Sequence, residues 1–562
     1  MPSIHKTAKY YEYFSLTLRI SCFGGLTMHV SVKTATFKLL RQLGMTWIVG
    51  NPGSTEETFL QDLPEDFTYI QALHEGSVVA IADGLAQGLR QAVLVNVHTG
   101  VGLGNAMGAI LTAYQNKTPL IITSGQQTRD MLLFEPLLTN VNAVTMPLPW
   151  VKWSYEPVRP EDVPGAFMRA YAMAVQPPAG PVHLSLPMDD WDKMITDRNY
   201  LRTVSHRVAP DPVRLADFTR RIDQSTNPVL IYGADIARSD AWDAGVHLAE
   251  QLQAPVWSTP FNERAIFPCS NSLYAGILPA AIAPLADCLR GHDLAIVVGA
   301  PVFRYYPYVA GHYLPEGTSL LQITDDSDAA AKAPVGDSLI SDSLLFLEQL
   351  VPMIAPRSHH VRPHHHDQRV KLPASTAFLS SEAVFDILKP LCPDDFILPE
   401  ESPSNAPALR QIFAIDQPDS FYTFASGQLG WNMPAAIGLA LHEQISGRHR
   451  PVIVFVGDGA FNYAPQCIYT GVRHHTHVIF VVLQNHEYAI LKEFAIEEKL
   501  KNIPGLELPG IAIADIGSAY GAHATVAITA IQLEAAFREA MGYQGVSVLQ
   551  VPISSDLHPL ID

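Results

Sequence analysis

Cysteine and basic residues are both scarce in this sequence. Its five cysteines are scattered and odd in number, which argues against a disulfide framework or a cysteine-based metal site and predicts a reducing, cytoplasmic location. Lys and Arg number 37 against 55 Asp and Glu, and the net charge of −18 argues against nucleic acid or an anionic membrane as a partner. No apolar run approaches the length of a transmembrane helix, and no short-period repeat is visible.

The overall composition is that of a globular protein with large hydrophobic cores. Hydrophobic residues make up 48% of the 562 residues and charged residues 16%, and the length suggests about three or four domains. Residues 1–27 are rich in Tyr, Phe and Ser, and Arg19 interrupts their only apolar stretch, so a signal peptide is not expected. We expect either a disordered N-terminal extension or a start codon set too early, and the sequence leaves both open.

Three α/β blocks follow one another along the chain. Apolar strand-like runs alternate with helical stretches in each block, which predicts three doubly wound parallel sheets. A segment with five histidines separates the second and third blocks, and its polar composition favours a solvated linker over a metal site. The sequence does not decide whether the first and third blocks share a fold. The predicted units are residues 28–190, 208–352 and 376–555, with a linker at 353–375.

Two buried strands of the third block end in polar residues. The run 451–456 leads into Gly457-Asp458-Gly459, and the run 478–483 leads into Gln484-Asn485. Ligands bind at the carboxyl ends of strands in open α/β sheets, and carboxylate and amide oxygens suit Mg²⁺. A Gly-Asp-Gly alone is often only a turn. The second strand that ends in Asn at this distance favours a site that holds Mg²⁺ and a diphosphate.

The first block carries three polar features at strand ends or helix starts. Asn51-Pro-Gly-Ser54 follows one strand, Glu75 opens a helix, and His98 follows another strand. Each has an ordinary structural explanation by itself: a turn, a partner for the helix dipole, and a satisfied structural histidine. The glycines after His98 make a poor dinucleotide fingerprint because their spacing is wrong.

Together these features resemble thiamin-diphosphate-dependent 2-oxo acid decarboxylases, and in detail the benzoylformate decarboxylases. The resemblance runs from about Met28 to the end and rests on strings in all three blocks. In the first block these include Phe67-Thr-Tyr-Ile-Gln-Ala-Leu-His-Glu75 and Leu137-Leu-Thr-Asn-Val141. The second and third blocks add Gly299-Ala-Pro-Val-Phe-Arg-Tyr305 and Leu429-Gly-Trp-Asn-Met-Pro434. The resemblance implies three domains. The first binds the pyrimidine ring of the cofactor, the second is a middle domain, and the third binds the diphosphate with Mg²⁺.

The resemblance also implies roles for individual residues. Glu75 would hydrogen-bond the pyrimidine ring, Leu429 would support the bent cofactor, and the Gly427 carbonyl would accept from its amino group. Ser54 would orient the substrate carboxylate, and His98 would exchange protons near its carbonyl oxygen. The cofactor-binding set is Asn51, Glu75, Gly427, Leu429, Gly457, Asp458, Gly459, Ala460, Asn485 and Tyr488. The metal ligands would be Asp458, Asn485 and the main-chain carbonyl of Glu487, and the apolar pocket candidates are Leu137, Leu138, Phe461 and Phe494.

Four departures fall near the substrate or the diphosphate. Tyr306 stands where the family has its second active-site His, Glu493 replaces a Trp, and Phe424 lies in an altered string before Gly427. The string Glu401-Ser-Pro-Ser404 replaces one that contains Thr. A phenol is a weaker acid than an imidazolium, so Tyr306 predicts slower protonation of the enamine and slower release of the aldehyde. The alternative is that Tyr306 points away and His98 protonates the enamine.

Three functions are therefore weighed. The leading one is decarboxylation of benzoylformate or a similar aromatic 2-oxo acid, and the alternatives are a carboligase or lyase of the acetolactate-synthase or benzaldehyde-lyase type and an inactive cofactor-binding homologue. An acetolactate synthase would carry FAD in the middle block. In this family the two halves of each site come from different subunits, so we expect a dimer or a tetramer built of two dimers.

Overall fold

The structure is a computed structural model that describes residues 28–357, 378–558 and 560. The extension predicted for residues 1–27 lies outside the described residues, and so does the predicted linker from residue 358 onwards. Within the described part, each predicted block contains one six-stranded sheet whose strands are all parallel. The predicted fold of three doubly wound parallel sheets is confirmed.

The first block begins with a short strand that the sequence did not predict. Strand β1 (His29–Ser31) precedes helix α1 (Val32–Gln42) and pairs antiparallel with β8 (Met194–Thr196). Three residues carry too little periodicity to be read as a strand, and this one exists because a partner far along the chain completes it. The Ser31 side chain then caps α1 by accepting from the Thr34 amide at 3.1 Å.

The main sheet of the first block has helices on both faces. Its strands are β2 (Trp47–Asn51), β3 (Thr68–Gln71), β4 (Val93–Val97), β5 (Leu120–Gln126), β6 (Ser154–Tyr155) and β7 (Val182–Pro187). Its helices are α2 (Glu57–Leu60), α3 (Glu75–Leu89), α4 (Thr99–Gln115) and α5 (Val163–Val175), with 3₁₀ turns at Arg129–Phe134 and Pro160–Asp162. Strands β4, β5 and β7 are buried along their whole length, as expected for a sheet covered on both sides.

The middle block is a second sheet of the same size. Its strands are β9 (Pro228–Tyr232), β10 (Val256–Ser258), β11 (Tyr274–Ile277), β12 (Leu294–Val298), β13 (Ser319–Thr324) and β14 (Asp337–Ile340). Its helices are α6 (Pro212–Gln224), α7 (Asp235–Arg238), α8 (Trp242–Leu252), α9 (Ile282–Cys288), α10 (Ser327–Lys332) and α11 (Ser343–Leu350), followed by a 3₁₀ turn at Val351–Met353.

The third block repeats the plan with more helices. Its strands are β15 (Leu398–Glu401), β16 (Phe421–Tyr422), β17 (Val452–Gly457), β18 (Val478–Gln484), β19 (His523–Val526) and β20 (Val546–Pro552). Its helices are α12 (Ser381–Leu388), α13 (Ala406–Ile412), α14 (Asn432–Ser446), α15 (Asp458–Phe461), α16 (Cys467–Arg473), α17 (Ala489–Glu497), α18 (Ile513–Ala519) and α19 (Ala530–Gly542). Two 3₁₀ turns lie at Lys389–Leu391 and Pro403–Asn405.

Strand order answers a question that the sequence left open. The first sheet runs β3-β2-β4-β5-β7-β6 and the third runs β16-β15-β17-β18-β20-β19, which is the same order relative to the first strand of each sheet. The middle sheet runs β11-β10-β9-β12-β13-β14, the order common in dinucleotide-binding folds. The first and third blocks therefore share a topology that the middle block does not have.

Helices α3 and α14 join the first and third blocks. A Cβ added to Gly84 of α3 would lie 2.1 Å from the Ala435 carbonyl oxygen, so only glycine allows the two helices to approach this closely. Between them the buried Asp83 carboxylate accepts from the Trp431 indole at 2.7 Å and from the Asn116 amide at 2.8 Å. Because Glu75 begins α3 and Leu429 lies just before α14, this packing fixes two predicted site residues relative to one shared core. No helix of the described residues is long and apolar enough to cross a membrane.

Candidate active site

Glu75 is held by amide groups at the carboxyl edge of the first sheet. It begins α3, and the His74 side chain caps this helix by accepting from the Gly76 amide at 3.0 Å. The Glu75 carboxyl is 6% exposed and accepts from Asn51 Nδ2 at 3.1 Å and from Asn105 Nδ2 at 3.0 Å. One amide on each oxygen leaves further lone pairs for a hydrogen-bonded ligand. The predicted pair of Asn51 and Glu75 is therefore in contact, and Asn105 is an addition that the sequence did not reveal.

Glu56 is a further site residue that sequence reasoning missed. Its buried carboxylate accepts from the main-chain amides of Gly53 at 2.9 Å and Gly125 at 2.8 Å, and lies 2.9 Å from His98 Nδ1. A carboxylate at Nδ1 fixes the orientation of an imidazole. The only hint in the sequence was the position of Glu56 two residues after Ser54, because its partners come from three different strand ends.

His98 and Ser54 occupy neighbouring loops of this edge. His98 lies between β4 and α4 with its side chain 18% exposed, and no hydrogen bond of the described residues uses its Nε2. Ser54 is exposed on the loop that Glu56 fixes through Gly53. The structure thus places Asn51, Ser54, Glu75 and His98 at one edge, as predicted from strand and helix ends.

The predicted metal ligands lie together at the carboxyl edge of the third sheet. Asp458 follows β17, and its two carboxylate oxygens accept from the amides of Gly459 at 2.9 Å and His486 at 2.8 Å. Asn485 follows the neighbouring strand β18, and its Oδ1 accepts from the Glu487 amide at 3.2 Å. Among the hydrogen bonds of the described residues, none uses the Glu487 main-chain carbonyl.

This group of oxygens fits Mg²⁺. One carboxylate, one amide oxygen and one free carbonyl are hard donors of the kind that Mg²⁺ prefers. Burial raises the pKa of Asp458 to about 6, although the amides of His486 and Gly459 act in the opposite direction. A buried carboxyl that lacks a cationic partner gains stability when a cation arrives. This mixed set of oxygens is therefore the candidate metal centre. The described residues hold no cluster of three or more His, Cys, Asp or Glu that could bind a metal.

The residues predicted to hold the rest of the cofactor lie around the start of α14. Gly427 adopts φ +73°, and Leu429 is half-buried against the core shared by the first and third blocks. A cavity of about 170 Å³ is lined by Leu429 and Tyr463 of the third block and by His74 and Asn105 of the first. Ala460 is buried in α15, and Tyr488 is half-buried beside Gly459. Among the described residues, no hydrogen bond joins the Glu75 group directly to the Asp458 group.

The predicted substrate-pocket residues have unequal outcomes. Tyr306 is 60% exposed, and its ring centroid lies 4.6 Å from that of Phe494 on α17, so these two residues do come together. Leu137 is 84% exposed, and Leu138 is half-buried with φ +69°. Phe461 is not a pocket wall in this structure, because its side chain is wholly buried in the core. Its apolar character did not reveal which way a four-residue helix would turn it.

Glu493, which stands where the family has Trp, is buried. Burial raises its pKa, and its Oε1 accepts from the His558 amide at 3.0 Å. The side chain therefore ties α17 to the C-terminal segment and does not offer an aromatic face beside Phe494.

Models of three thiamine pyrophosphate enzyme domains match the chain in order. The N-terminal TPP binding domain matches residues 30–144, the central domain residues 215–350 and the C-terminal TPP binding domain residues 404–551. The chain therefore belongs to the thiamine pyrophosphate enzymes.

Proteins that match this chain over almost its whole length point to a narrower group within this family. The benzoylformate decarboxylase of Pseudomonas aeruginosa is 40% identical over 93% of this chain and 98% of its own. The crystal structure of benzoylformate decarboxylase from Polynucleobacter necessarius is 56% identical, with a TM-score of 0.91 over 94% of this chain and 99% of its own. A 4-hydroxybenzoylformate decarboxylase from Rhodococcus jostii RHA1 is 36% identical, with a TM-score of 0.90 over 94% of this chain and all (100%) of its own. The predicted homology to benzoylformate decarboxylase is confirmed.

Proposed function

We propose that this protein catalyses the non-oxidative decarboxylation of an aromatic 2-oxo acid, benzoylformate or a close analogue, to an aldehyde and carbon dioxide. The observation that carries the proposal is that one chain has both a Glu75 carboxyl held by two amides and an oxygen donor set around Asp458. Its homology to benzoylformate decarboxylases points to the substrate class. The aromatic pair of Tyr306 and Phe494 is consistent with an aromatic substrate.

Thiamin diphosphate and Mg²⁺ are the proposed cofactors. Asp458, Asn485 and the Glu487 carbonyl would hold Mg²⁺ against the diphosphate, and Glu75 would bond the pyrimidine ring. When bound, thiamin diphosphate supplies the electron sink that decarboxylation requires. Gly427 and Leu429 would hold the two cofactor rings in place, and Gly457, Gly459, Ala460 and Tyr488 would line the diphosphate.

Proton movement would be handled in the first block. The Glu56 carboxylate at His98 Nδ1 leaves Nε2 as the atom that can give a proton to, or take one from, the substrate oxygen. Ser54, exposed on the adjacent loop, would orient the substrate carboxylate. This arrangement assigns orientation to Glu56 and the proton itself to His98.

We further propose that the active protein is a dimer, or a tetramer of two dimers. Several large apolar side chains of the loop that follows β5 are exposed to solvent. Leu133 is 85% exposed, Phe134 72% and Leu137 84%. Exposed apolar surface of this kind marks an interaction site. A second subunit would cover it and bring its Asp458 group to the Glu75 group.

Two further proposals concern the domain boundaries and the location of the protein. The domain boundaries stay as predicted, at residues 28–190, 208–352 and 376–555. The cytoplasm is the proposed location, on the grounds of the few scattered cysteines.

A scan of 2-oxo acids tests the function directly. Purified protein with thiamin diphosphate and Mg²⁺ is assayed for carbon dioxide release from benzoylformate, 4-hydroxybenzoylformate, pyruvate and 2-oxoisovalerate. We expect the aromatic acids to have the highest kcat/KM. Faster turnover of pyruvate than of both aromatic acids would contradict the proposed substrate class, and no release from any acid would contradict the proposed reaction.

Carboligation is a second candidate activity because of Tyr306. A phenol gives up a proton less readily than an imidazolium, so aldehyde release is slower and a second aldehyde has more time to be joined. The same assay, with benzaldehyde added, shows whether hydroxyketone accumulates.

A further inference from the structure

The buried carboxylate of Glu401 faces the segment that would hold the cofactor rings. Glu401 ends β15, is 1% exposed and lies opposite Val456 of β17 in the sheet register. Its Oε1 accepts from the Gly430 amide, and its Oε2 accepts from the Asn432 amide at 2.7 Å. These two amides bracket the start of α14 and follow Leu429 by one and three residues.

The start of α14 also bonds back to β15, through the side chain of Asn432. The wholly buried Asn432 side chain, turned so that its amide oxygen faces β15, accepts from the main-chain amides of Glu400 at 2.9 Å and Glu401 at 3.0 Å. The end of β15 and the start of α14 are thus clamped by four hydrogen bonds. Burial raises the pKa of the Glu401 carboxyl to about 8, although the hydrogen bonds from the Gly430 and Asn432 amides act in the opposite direction.

The two ends of the 425–432 segment are held by different parts of the chain. Its first residues bond to the first block, where Asn116 Oδ1 accepts from the Ala425 amide at 2.9 Å and Thr112 Oγ1 lies 2.8 Å from Ser426 Oγ. Gly430, at the other end, has φ +94° and bonds to Glu401. Gly427 and Leu429 lie between these anchors, so a shift at Gly430 moves both.

We propose that Glu401 is a positioning residue that fixes the backbone of residues 427–432 for the thiazolium and pyrimidine rings of the cofactor. This inference rests on the proposed function. It assigns Glu401 no contact with the substrate and no part in holding Mg²⁺, and it predicts that Glu401 matters for the rings of thiamin diphosphate but not for its diphosphate.

The experiment compares two ligands of the full-length apoenzyme by titration calorimetry, each with Mg²⁺: thiamin diphosphate and inorganic diphosphate. In Glu401→Gln an amide NH₂ meets one of the two main-chain N–H groups, so that group loses its acceptor. We expect thiamin diphosphate to bind about tenfold more weakly, because one buried main-chain N–H is left without an acceptor. Inorganic diphosphate should bind as in the parent protein.

Glu443→Gln is the matched control. Glu443 is equally buried on the same helix α14, but its carboxylate accepts from the Arg450 guanidinium at 2.7 Å and the Arg450 amide at 3.1 Å. This variant should lose stability and leave both affinities unchanged. If Glu401→Gln does not fold, Glu401→Asp, which keeps the carboxyl group on a shorter side chain, should show the same selective loss to a smaller degree.

The outcomes separate this inference from the function on which it rests. Unchanged affinity for thiamin diphosphate in the Glu401 variant would overturn the inference, and so would an equal loss for both ligands. A parent protein that binds neither ligand would contradict the proposed function itself.

Discussion

The third and middle sheets are both six-stranded and parallel, but they differ at the point where the strand order of each reverses. In the third sheet this point lies between β15 and β17, and a Cβ added to Gly457 would find no atom closer than 3.9 Å. In the middle sheet it lies between β9 and β12, and a Cβ added to Gly233 would lie 2.5 Å from the Ala300 Cβ. There is room for a side chain beside Gly457 and none beside Gly233, and in this local sense we call the two crevices open and closed, although ligands of open α/β sheets bind at such points.

Charges sharpen the contrast. The middle edge borders the larger cavity, about 390 Å³, but its charged groups already have partners. Lys117 of the first block reaches Asp235 at 2.7 Å and Asp325 at 3.2 Å, and Arg238 reaches Asp235 at 2.8 Å. Burial alone would lower the pKa of Lys117, but the carboxylates of Asp235, Asp325 and Asp326 outweigh it and raise the pKa. At the third edge, by contrast, the side chain of Asp458 has only main-chain amides as partners among the described residues.

The two sheets therefore show that the strand order creates a crevice in each, and that the side chains packed around the crevice decide whether a ligand has room there. The charged groups of the middle crevice form a contact between the first and middle blocks. The third crevice retains space and unpaired oxygen donors.

The largest expected effect comes from loss of the charge at the open crevice. Asp458→Ala should weaken binding of thiamin diphosphate with Mg²⁺ about a thousandfold, because removal of one partner of a buried charge pair costs roughly 4 kcal/mol. Titration calorimetry measures this, and activity should return at high cofactor and Mg²⁺. The exposed Asp515→Ala serves as the control, and normal binding by Asp458→Ala would show that the ligand assignment is wrong.

The same carboxyl predicts a pH dependence. Mg²⁺ needs the ionised form, and protons compete for it below its pKa of about 6. The affinity of the parent protein for Mg²⁺ should therefore fall about tenfold for each pH unit below 6. Asp458→Asn should bind weakly at every pH without this slope.

Glu75→Gln should separate cofactor binding from cofactor activation. Thiamin diphosphate should still bind, but exchange of its thiazolium carbon proton with deuterium should slow about 100-fold or more, the usual contribution of a positioned acid or base. NMR of acid-quenched samples follows the exchange, with the exposed Glu161→Gln as the control. Exchange at the parent rate would end the assignment of Glu75.

At the closed crevice, the expected effect is on stability and not on catalysis. Lys117→Met leaves Asp325 without its cation and should lower the free energy of unfolding by about 3 kcal/mol, while kcat/KM stays near the parent value. Urea denaturation measures the loss, and the exposed pair of Lys332 and Asp328 supplies the control variant Lys332→Met. Bound flavin in the parent protein, or a large fall in kcat/KM for Lys117→Met, would break the comparison.

The smallest expected effect is at Tyr306. Tyr306→His restores a better proton donor beside Phe494, so aldehyde release from benzoylformate should rise roughly fivefold and the share of hydroxyketone should fall. Chromatography of both products gives the ratio. The exposed neighbour Tyr308→His is the matched control, and if the ratio and turnover at Tyr306→His equal those of the parent, Tyr306 takes no part in protonation.

The sequence predicted what lies at the ends of strands and missed what depends on tertiary contact. Asp458 and Asn485 are predicted because the ends of neighbouring parallel strands meet at one edge, whereas Asn51 and Glu75 are predicted from the resemblance to the decarboxylase family. Glu56 and Asn105 were missed because their partners lie on other strand ends and helices. Phe461 was misjudged because composition does not fix which face of a short helix is buried.

Subunit complementation tests the central claim most directly, namely that Glu75 of one subunit and Asp458 of another act on one cofactor. Equal amounts of the Glu75→Gln and Asp458→Ala variants are unfolded or dissociated together, reassembled, and assayed at a cofactor concentration too low to restore the activity of Asp458→Ala alone. If the site is shared, half of the dimers are mixed and each has one intact site, so about a quarter of the parent activity should return. A mixture as inactive as its two components would contradict the account.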